Sequence, residues 1–399
     1  MDIIIQPRHL QGQVQIIPSK SQAHRLLICS AFADRDTTLV CPETNQDIAA
    51  TAACLEALGA KITRTDNAYH VEPIKHVPET AVLPCCESGS TLRFLLPVVG
   101  ALGVDAVFQM KGRLSQRPLS PLWEEMERMG CKLEWTGENQ LRCSGKLCAG
   151  EYRIEGNVSS QFISGLLFAA SLMDGESWIA ILGQLESRGY VDMTVQAMKR
   201  FGVKLDGFVV AGKQVYRSPG TIAVEGDWSN GAFWLTAESL GSHVEVLGLD
   251  HKSAQGDRAI VSILSQLRKG YSEISAVDIP DLIPVLAVAA CANQGATFTG
   301  IRRLRLKESD RVATTIAMIE SLGGRAEATE DTLTVYSGTL LGGTVDACND
   351  HRIAMAAAVA ATVCQKQVTI LGAQCVQKSY PGFWDEYQYL GGQYAQFIR

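Results

Sequence analysis

The stretch Asp350–Val363, DHRIAMAAAVAATV, opens with three polar residues and then runs apolar on nearly every face of a helix. A helix apolar all round has to be buried. Five more segments read the same way: SKSQAHRLLICSAF, SGSTLRFLLPVVGAL, SSQFISGLLFAASL, SNGAFWLTAESL and PDLIPVLAVAACA. Anchored on Ser21, Ser90, Ser160, Asn230, Asp281 and His351, they recur at steps of 69, 70, 70, 51 and 70 residues. A second segment type alternates with the first: an amphipathic helix, a glycine, then a short strand. Its glycines are Gly59, Gly130, Gly202, Gly270, Gly323 and Gly391. Glycine just past a helix supplies the left-handed residue that stops it. Two helix types in phase predict six copies of one α/β unit of about 70 residues, with the fifth shortened.

Six buried helices with polar starts predict amino ends that collect in one place. A helix amino end carries about half a positive charge and free N–H donors. Lys20, Arg25, Arg93 and Arg352 stand in the opening turns of such helices. Burying a cation at a positive helix end is unfavourable unless an anion joins it. The expected ligand is therefore a small anion. Against this stands the plainer reading of six unrelated serine or aspartate caps on core helices.

The 399 residues allow two or three domains. Six units divide as three and three, with the midpoint near Ser218-Pro219-Gly220. The net charge of -6 argues against nucleic acid as the main partner. The apolar runs are too short for a membrane span, and the amino terminus has no basic leader, so a cytoplasmic protein is expected. Twelve cysteines without a Cys-x-x-Cys pair read as reduced core thiols, and no metal site is expected. Gly207–Gln214 nearly fits a phosphate-binding loop but has glutamine where magnesium needs serine or threonine.

Three further motifs carry charge. Leu304–Arg311, LRLKESDR, reads as an acid-capped helix start in which Lys307 beside Glu308 is a candidate proton-transfer pair. Arg352 in the first turn behind Asp350-His351 points at an anion, whereas His351 reads as a cap group. Lys378-Ser379-Tyr380-Pro381 and Arg113–Pro118 have a similar character.

Taken in order, Ser19-Lys20-Ser21 through Arg25, Ser88–Arg93, Gln116-Arg117-Pro118, Val158–Phe162, Ile279-Pro280-Asp281, Leu304–Arg311 and Asp350–Met355 resemble the 5-enolpyruvylshikimate-3-phosphate synthase family. The resemblance runs nearly the whole chain. It implies a two-domain inside-out α/β barrel with three βαβαββ units per domain and buried parallel helices. One domain would comprise 1–16 and 227–399, the phosphoenolpyruvate side with the acid/base residues. Residues 17–226 would form an inserted domain, the shikimate 3-phosphate side. The active site would lie between them and close on substrate.

The implied reaction adds the 5-hydroxyl of shikimate 3-phosphate to phosphoenolpyruvate and expels phosphate from a tetrahedral intermediate. The resemblance gives Lys20, Asp281, Glu308 and Lys307 catalytic roles. Asp281 would take the hydroxyl proton, Glu308 with Lys20 would serve the methylene carbon, and Lys307 would neutralise charge. Shikimate 3-phosphate would meet Lys20, Ser21, Arg25, Ser159, Ser160, Gln161, Ser187, Tyr190, Asp281 and Lys307. Phosphoenolpyruvate would meet Lys20, Gly89, Arg93, Arg117, Gln161, Arg311, His351, Arg352 and Lys378. No cofactor is implied, and a monomer is expected, with no nucleic-acid or membrane partner. Glu87, Phe94 and Arg303 depart from the family pattern. The rival within the fold, UDP-N-acetylglucosamine enolpyruvyl transferase, usually carries a cysteine in its mobile loop; Lys111–Pro121 has none. A non-catalytic anion-binding homologue would be expected to lose Lys20, Asp281 or Glu308, and all are present.

Overall fold

The computed structural model describes residues 1–397. Positions 398 and 399 of the expected 227–399 span lie outside the described residues. The chain divides into two compact units. One holds Met1–Ile17 and the chain from Gly226 onward; the other holds Pro18–Glu225. Each has its own apolar core.

Among the described residues, twelve α-helices follow in chain order. The unit Pro18–Glu225 contains α1 (Lys20–Ala31), α2 (Gln46–Ala57), α3 (Gly89–Leu102), α4 (Leu122–Arg128), α5 (Ser160–Leu172) and α6 (Arg188–Arg200). The other unit contains α7 (Trp228–Ser239), α8 (Ile260–Lys269), α9 (Ile283–Ala292), α10 (Arg311–Ser321), α11 (His351–Ala361) and α12 (Phe383–Tyr389). The odd-numbered helices are the apolar ones. Every residue of α11 is buried, because alanine at most positions lets neighbouring backbones close on it from several sides.

Strand, helix, strand, helix and hairpin make one repeat. In the unit Pro18–Glu225, one sheet pairs Thr80–Cys86 parallel to Asp105–Met110 and then adds Gln140–Gly145 and Cys131–Gly137 antiparallel. The sheets around Thr37–Val40 and Ser177–Leu182 have the same order. So do two sheets of the other unit. In one of these, the amino-terminal strand Asp2–Gln6 sits between Val368–Leu371 and Gln393–Phe397. That pairing ties the start of the chain to its end.

The shortened repeat is the one carrying α7, the fourth helix of the apolar series, rather than the fifth. Among the described residues its sheet has two strands, Gln11–Gln15 and His243–Leu247, paired in parallel. After α8 no hairpin is made, and the chain passes directly into Ser272–Ser275, the first strand of the next repeat. Gly270 accordingly departs from the expected left-handed stop: its φ of 167° is extended backbone. The other five helix-ending glycines have φ between 76° and 111°. A hairpin requires the chain to reverse after the helix; a straight exit does not.

A close approach in the unit Pro18–Glu225 has consequences for its polar residues. At Gly165 in α5, a Cβ would collide with the carbonyl oxygen of Arg93 and meet Pro97 Cγ at 3.1 Å. Glycine lets α5 lie directly against α3. Gln161, one turn earlier on the same face, is thereby delivered to the first turns of α3.

The near-miss phosphate loop is a hairpin instead. Gly207 turns the chain between Leu205–Asp206 and Val209–Val210. Among the described residues, no helix is long and apolar enough to cross a membrane. No group of His, Cys, Asp and Glu there could hold a metal ion.

Candidate active site

In the unit Pro18–Glu225, α1, α3 and α5 open at Ser19, Ser88 and Ser159, each accepting a hydrogen bond from a backbone N–H of its own helix. Side chains then join the helix starts. Gln161 Nε2 donates to Ser90 Oγ at 2.9 Å, and Gln161 Oε1 accepts from Arg93 Nη1 at 3.0 Å. Arg93 Nη2 donates to the Pro118 carbonyl at 3.2 Å, which ties the Arg113–Pro118 loop to α3. A Cβ on Gly89 would lie 2.8 Å from Arg117 Nη1 and 2.9 Å from Arg93 Nη1. Two guanidinium groups thus converge on the first residue of a helix.

Lys20, the first residue of α1, pairs with Asp47 in the first turn of α2 at 3.0 Å, and both remain partly exposed. Behind them, His24 Nδ1, Thr51 Oγ1, Thr91 Oγ1 and Ser88 Oγ form a buried chain with spacings of 2.7, 2.6 and 2.7 Å. It joins α1 and α2 to the cap of α3. Burial, with the charges of Lys20 and Arg25, pushes His24 well below the usual histidine range. His24 therefore stays neutral and serves as a hydrogen-bonding post.

Arg25 and Arg93 prove to be second-turn residues, the sixth of α1 and the fifth of α3. Arg25 is 1% exposed and tied to α6: Nε donates to Thr194 Oγ1 at 2.7 Å and Nη2 to the Tyr190 carbonyl at 2.8 Å. Its guanidinium stacks over Phe94 at 4.8 Å, which gives the unusual phenylalanine a role. Burial lowers Arg25 to about 10, which leaves it charged at neutral pH. Ser187, beside Tyr190, precedes α6 in a left-handed conformation, φ 55°. Ser21 and Ser160 lie in the first turns of α1 and α5. Glu87 folds over Gly112, where a Cβ would meet its carboxyl carbon at 2.7 Å.

In the other unit, α7 and α11 are capped by Asp227 and Asp350, whereas α9 opens without a side-chain cap. The carboxylate just ahead of α9, Asp281, meets cations: Arg311 Nη1 at 2.7 Å, Arg352 Nη2 at 3.4 Å and Lys307 Nζ at 3.9 Å. Arg352 Nη1 also donates to the Ser229 carbonyl of α7 at 3.0 Å. One side chain thus joins the starts of α7, α9 and α11.

Arg311 is 1% exposed and surrounded by carboxylates, with Glu308 at 2.6 Å and Asp350 at 3.0 Å besides Asp281. Burial would lower its pKa, but Asp350, Glu308 and Asp281 hold it above the ordinary value. Lys307 goes the other way. Burial, opposed by Asp281 and assisted by Arg303 and Arg311, lowers it to about 8. A lysine so placed exchanges its proton near physiological pH. Lys378 Nζ donates to the Asn349 carbonyl at 3.0 Å.

His351 is not the cap of α11. Asp350 holds that position, accepting from Arg352 N–H at 2.9 Å, and His351 is the buried first helical residue. Aspartate wins because its carboxylate complements the helix dipole more strongly than an imidazole can. Asp350 also seats Arg311, a role the sequence reading missed. Asp47, the partner of Lys20, was missed as well. An acidic residue in the first turn of a polar-start helix was the available signal for Asp47.

Repeated α/β units whose polar helix starts gather arginine and lysine define, as a class, a binder of small anionic metabolites. Residues 4–387 match the family described as EPSP synthase (3-phosphoshikimate 1-carboxyvinyltransferase). A Clostridium kluyveri protein named 3-phosphoshikimate 1-carboxyvinyltransferase is 38% identical over 417 aligned positions, covering 98% of this chain and 97% of its own. One of the same name from Clostridium beijerinckii is 37% identical over 427, covering 98% of each. A solved EPSP synthase from Acinetobacter baumannii superposes with a TM-score of 0.80 at 21% identity, covering 99% of this chain and 100% of that one. The chain belongs to the EPSP synthase family.

Proposed function

We propose that the chain transfers the enolpyruvyl group of phosphoenolpyruvate to the 5-hydroxyl of shikimate 3-phosphate, releasing phosphate, in aromatic biosynthesis. The observation that carries this reading is the convergence of Arg93 and Arg117 on Gly89 at the amino end of α3. Like charges packed at a positive helix end repel one another, and a phosphate or carboxylate relieves that cost. Both proposed substrates carry these groups.

The unit 17–226 is assigned the shikimate 3-phosphate side, through Lys20, Ser21, Arg25, Ser159, Ser160, Gln161, Ser187 and Tyr190. Gly89, Arg93 and Arg117 of the same unit are assigned to phosphoenolpyruvate, with Lys20 and Gln161 shared. Residues 1–16 and 227–399 contribute Arg311, His351, Arg352 and Lys378 to phosphoenolpyruvate. In that unit Asp281 accepts the hydroxyl proton as the oxygen attacks, and Lys307 beside it offsets the charge that develops. Glu308 with Lys20 protonates and then deprotonates the methylene carbon. Such transfers contribute about 10²–10⁴ in rate, and the paired cations act on the phosphate that departs.

The reading includes an inside-out α/β barrel for the assembled repeats. It also includes a monomer working in the cytoplasm, with no cofactor and no nucleic-acid or membrane partner. Phosphate release from phosphoenolpyruvate, measured with each acceptor and with a chelator present, tests it. Release should require shikimate 3-phosphate and withstand the chelator. Release with UDP-N-acetylglucosamine in its place would overturn the assignment.

A further inference from the structure

Asp257 lies in the 3-10 turn Gly256–Ala259 that leads into α8, and it is 1% exposed. Ser229 Oγ donates a hydrogen bond to its Oδ2. Ser229 is the second residue of α7, and its carbonyl accepts from the Arg352 guanidinium, as Asp281 does. The loop ahead of Asp257 holds the same helix start. Gln255 Oε1 accepts the Trp228 N–H at 3.0 Å, and Gln255 Nε2 donates to the Gly226 carbonyl at 2.8 Å. The first turn of α7 is therefore pinned from outside, by a segment that bears no assigned role.

We propose that Asp257 is a positioning residue for phosphoenolpyruvate: through Ser229 it fixes the carbonyl that aims Arg352. The inference rests on the enolpyruvyl-transfer reading. Asp257 reaches Arg352 through Ser229 and through the local field. Burial and the nearby Asp281 raise its proton affinity, against the pull of Ser229 and Arg352, and Asp227 adds to the rise. A carboxyl that readily keeps its proton in such a place is closely mimicked by an amide. Asparagine should therefore do its work, whereas alanine should not.

The test compares the wild type with Asp257→Ala, Asp257→Asn and Ser229→Ala in steady-state phosphate release, with thermal unfolding of each variant alongside. Asp257→Ala and Ser229→Ala should each raise KM for phosphoenolpyruvate about tenfold, the loss expected of one weakened charge-assisted hydrogen bond. KM for shikimate 3-phosphate should stay within about twofold. Asp257→Asn should restore KM for phosphoenolpyruvate. The inference fails if both deletions leave that KM unchanged, if both substrates are affected alike, or if asparagine does not rescue. A wild type that turns over with indifferent variants sinks this inference alone. A wild type without turnover sinks the functional reading and this inference with it.

Discussion

Gly89→Ala isolates the convergence of guanidinium groups on which the function rests. Gly89 is the first residue of α3 with no positive φ, so alanine adopts its backbone without strain and slightly favours the helix. The added methyl would stand 2.8 Å from Arg117 Nη1, 2.9 Å from Arg93 Nη1 and 3.3 Å from Arg117 Cζ. Ordinary contact needs about 3.5 Å, so both guanidinium groups must retreat. Both are ends of flexible side chains, which makes the retreat cheap for the fold. It is costly for a ligand that both must reach. Arg93 cannot retreat without stretching its bonds to Gln161 and Pro118, now 3.0 and 3.2 Å. One misplaced charge-assisted hydrogen bond is worth about 1.5–3 kcal/mol, or roughly a 10- to 100-fold loss in kcat/KM for phosphoenolpyruvate. The assay varies phosphoenolpyruvate at saturating shikimate 3-phosphate, with calorimetric unfolding as the control. A KM for phosphoenolpyruvate within about twofold of wild type would refute the reasoning. So would a large fall in Tm with equal losses for both substrates.

Further outcomes follow from the same geometry. Lys20→Met should cut turnover by about 10²-fold or more while the folded state persists in thermal unfolding; unchanged turnover would remove Lys20 from the mechanism. Lys307, lowered to about 8, should lose its charge as pH rises through that value, so kcat should fall on the alkaline side. Lys307→Arg should move that fall upward, because guanidinium keeps its proton; an unmoved limb would assign it to another group. The same lowered value means the unfolded chain binds the extra proton between about 8 and 10.5. Lys307 should therefore make stability rise with pH across that window, and Lys307→Met should remove the rise in denaturant titrations. Gly165→Ala should cost about 1–3 kcal/mol, because the obstacle is the Arg93 backbone and cannot swing aside; an unchanged Tm would contradict the α3–α5 contact.

The repeat was legible because it is written in local periodicity. Apolar positions at helical spacing and a glycine after each amphipathic helix follow from backbone geometry within a dozen residues, and no distant partner is needed to read them. The departures arose where a distant partner decides. The sequence could show that one step of the repeat is short, but the sheet pairing of Gln11–Gln15 with His243–Leu247 decided which copy lacks its hairpin. That pairing brings together residues more than two hundred positions apart. The polar helix starts and their cations could likewise be named from the sequence. What each cation is bound to could not: Arg311 meets Asp350 across 39 positions, Arg25 meets Thr194 across 169, and Arg352 reaches Ser229 across 123. Charge and propensity belong to a residue and its near neighbours, so a sequence carries them. Proton affinity and aim belong to whatever the fold packs against the residue, and only the tertiary structure supplies that neighbour.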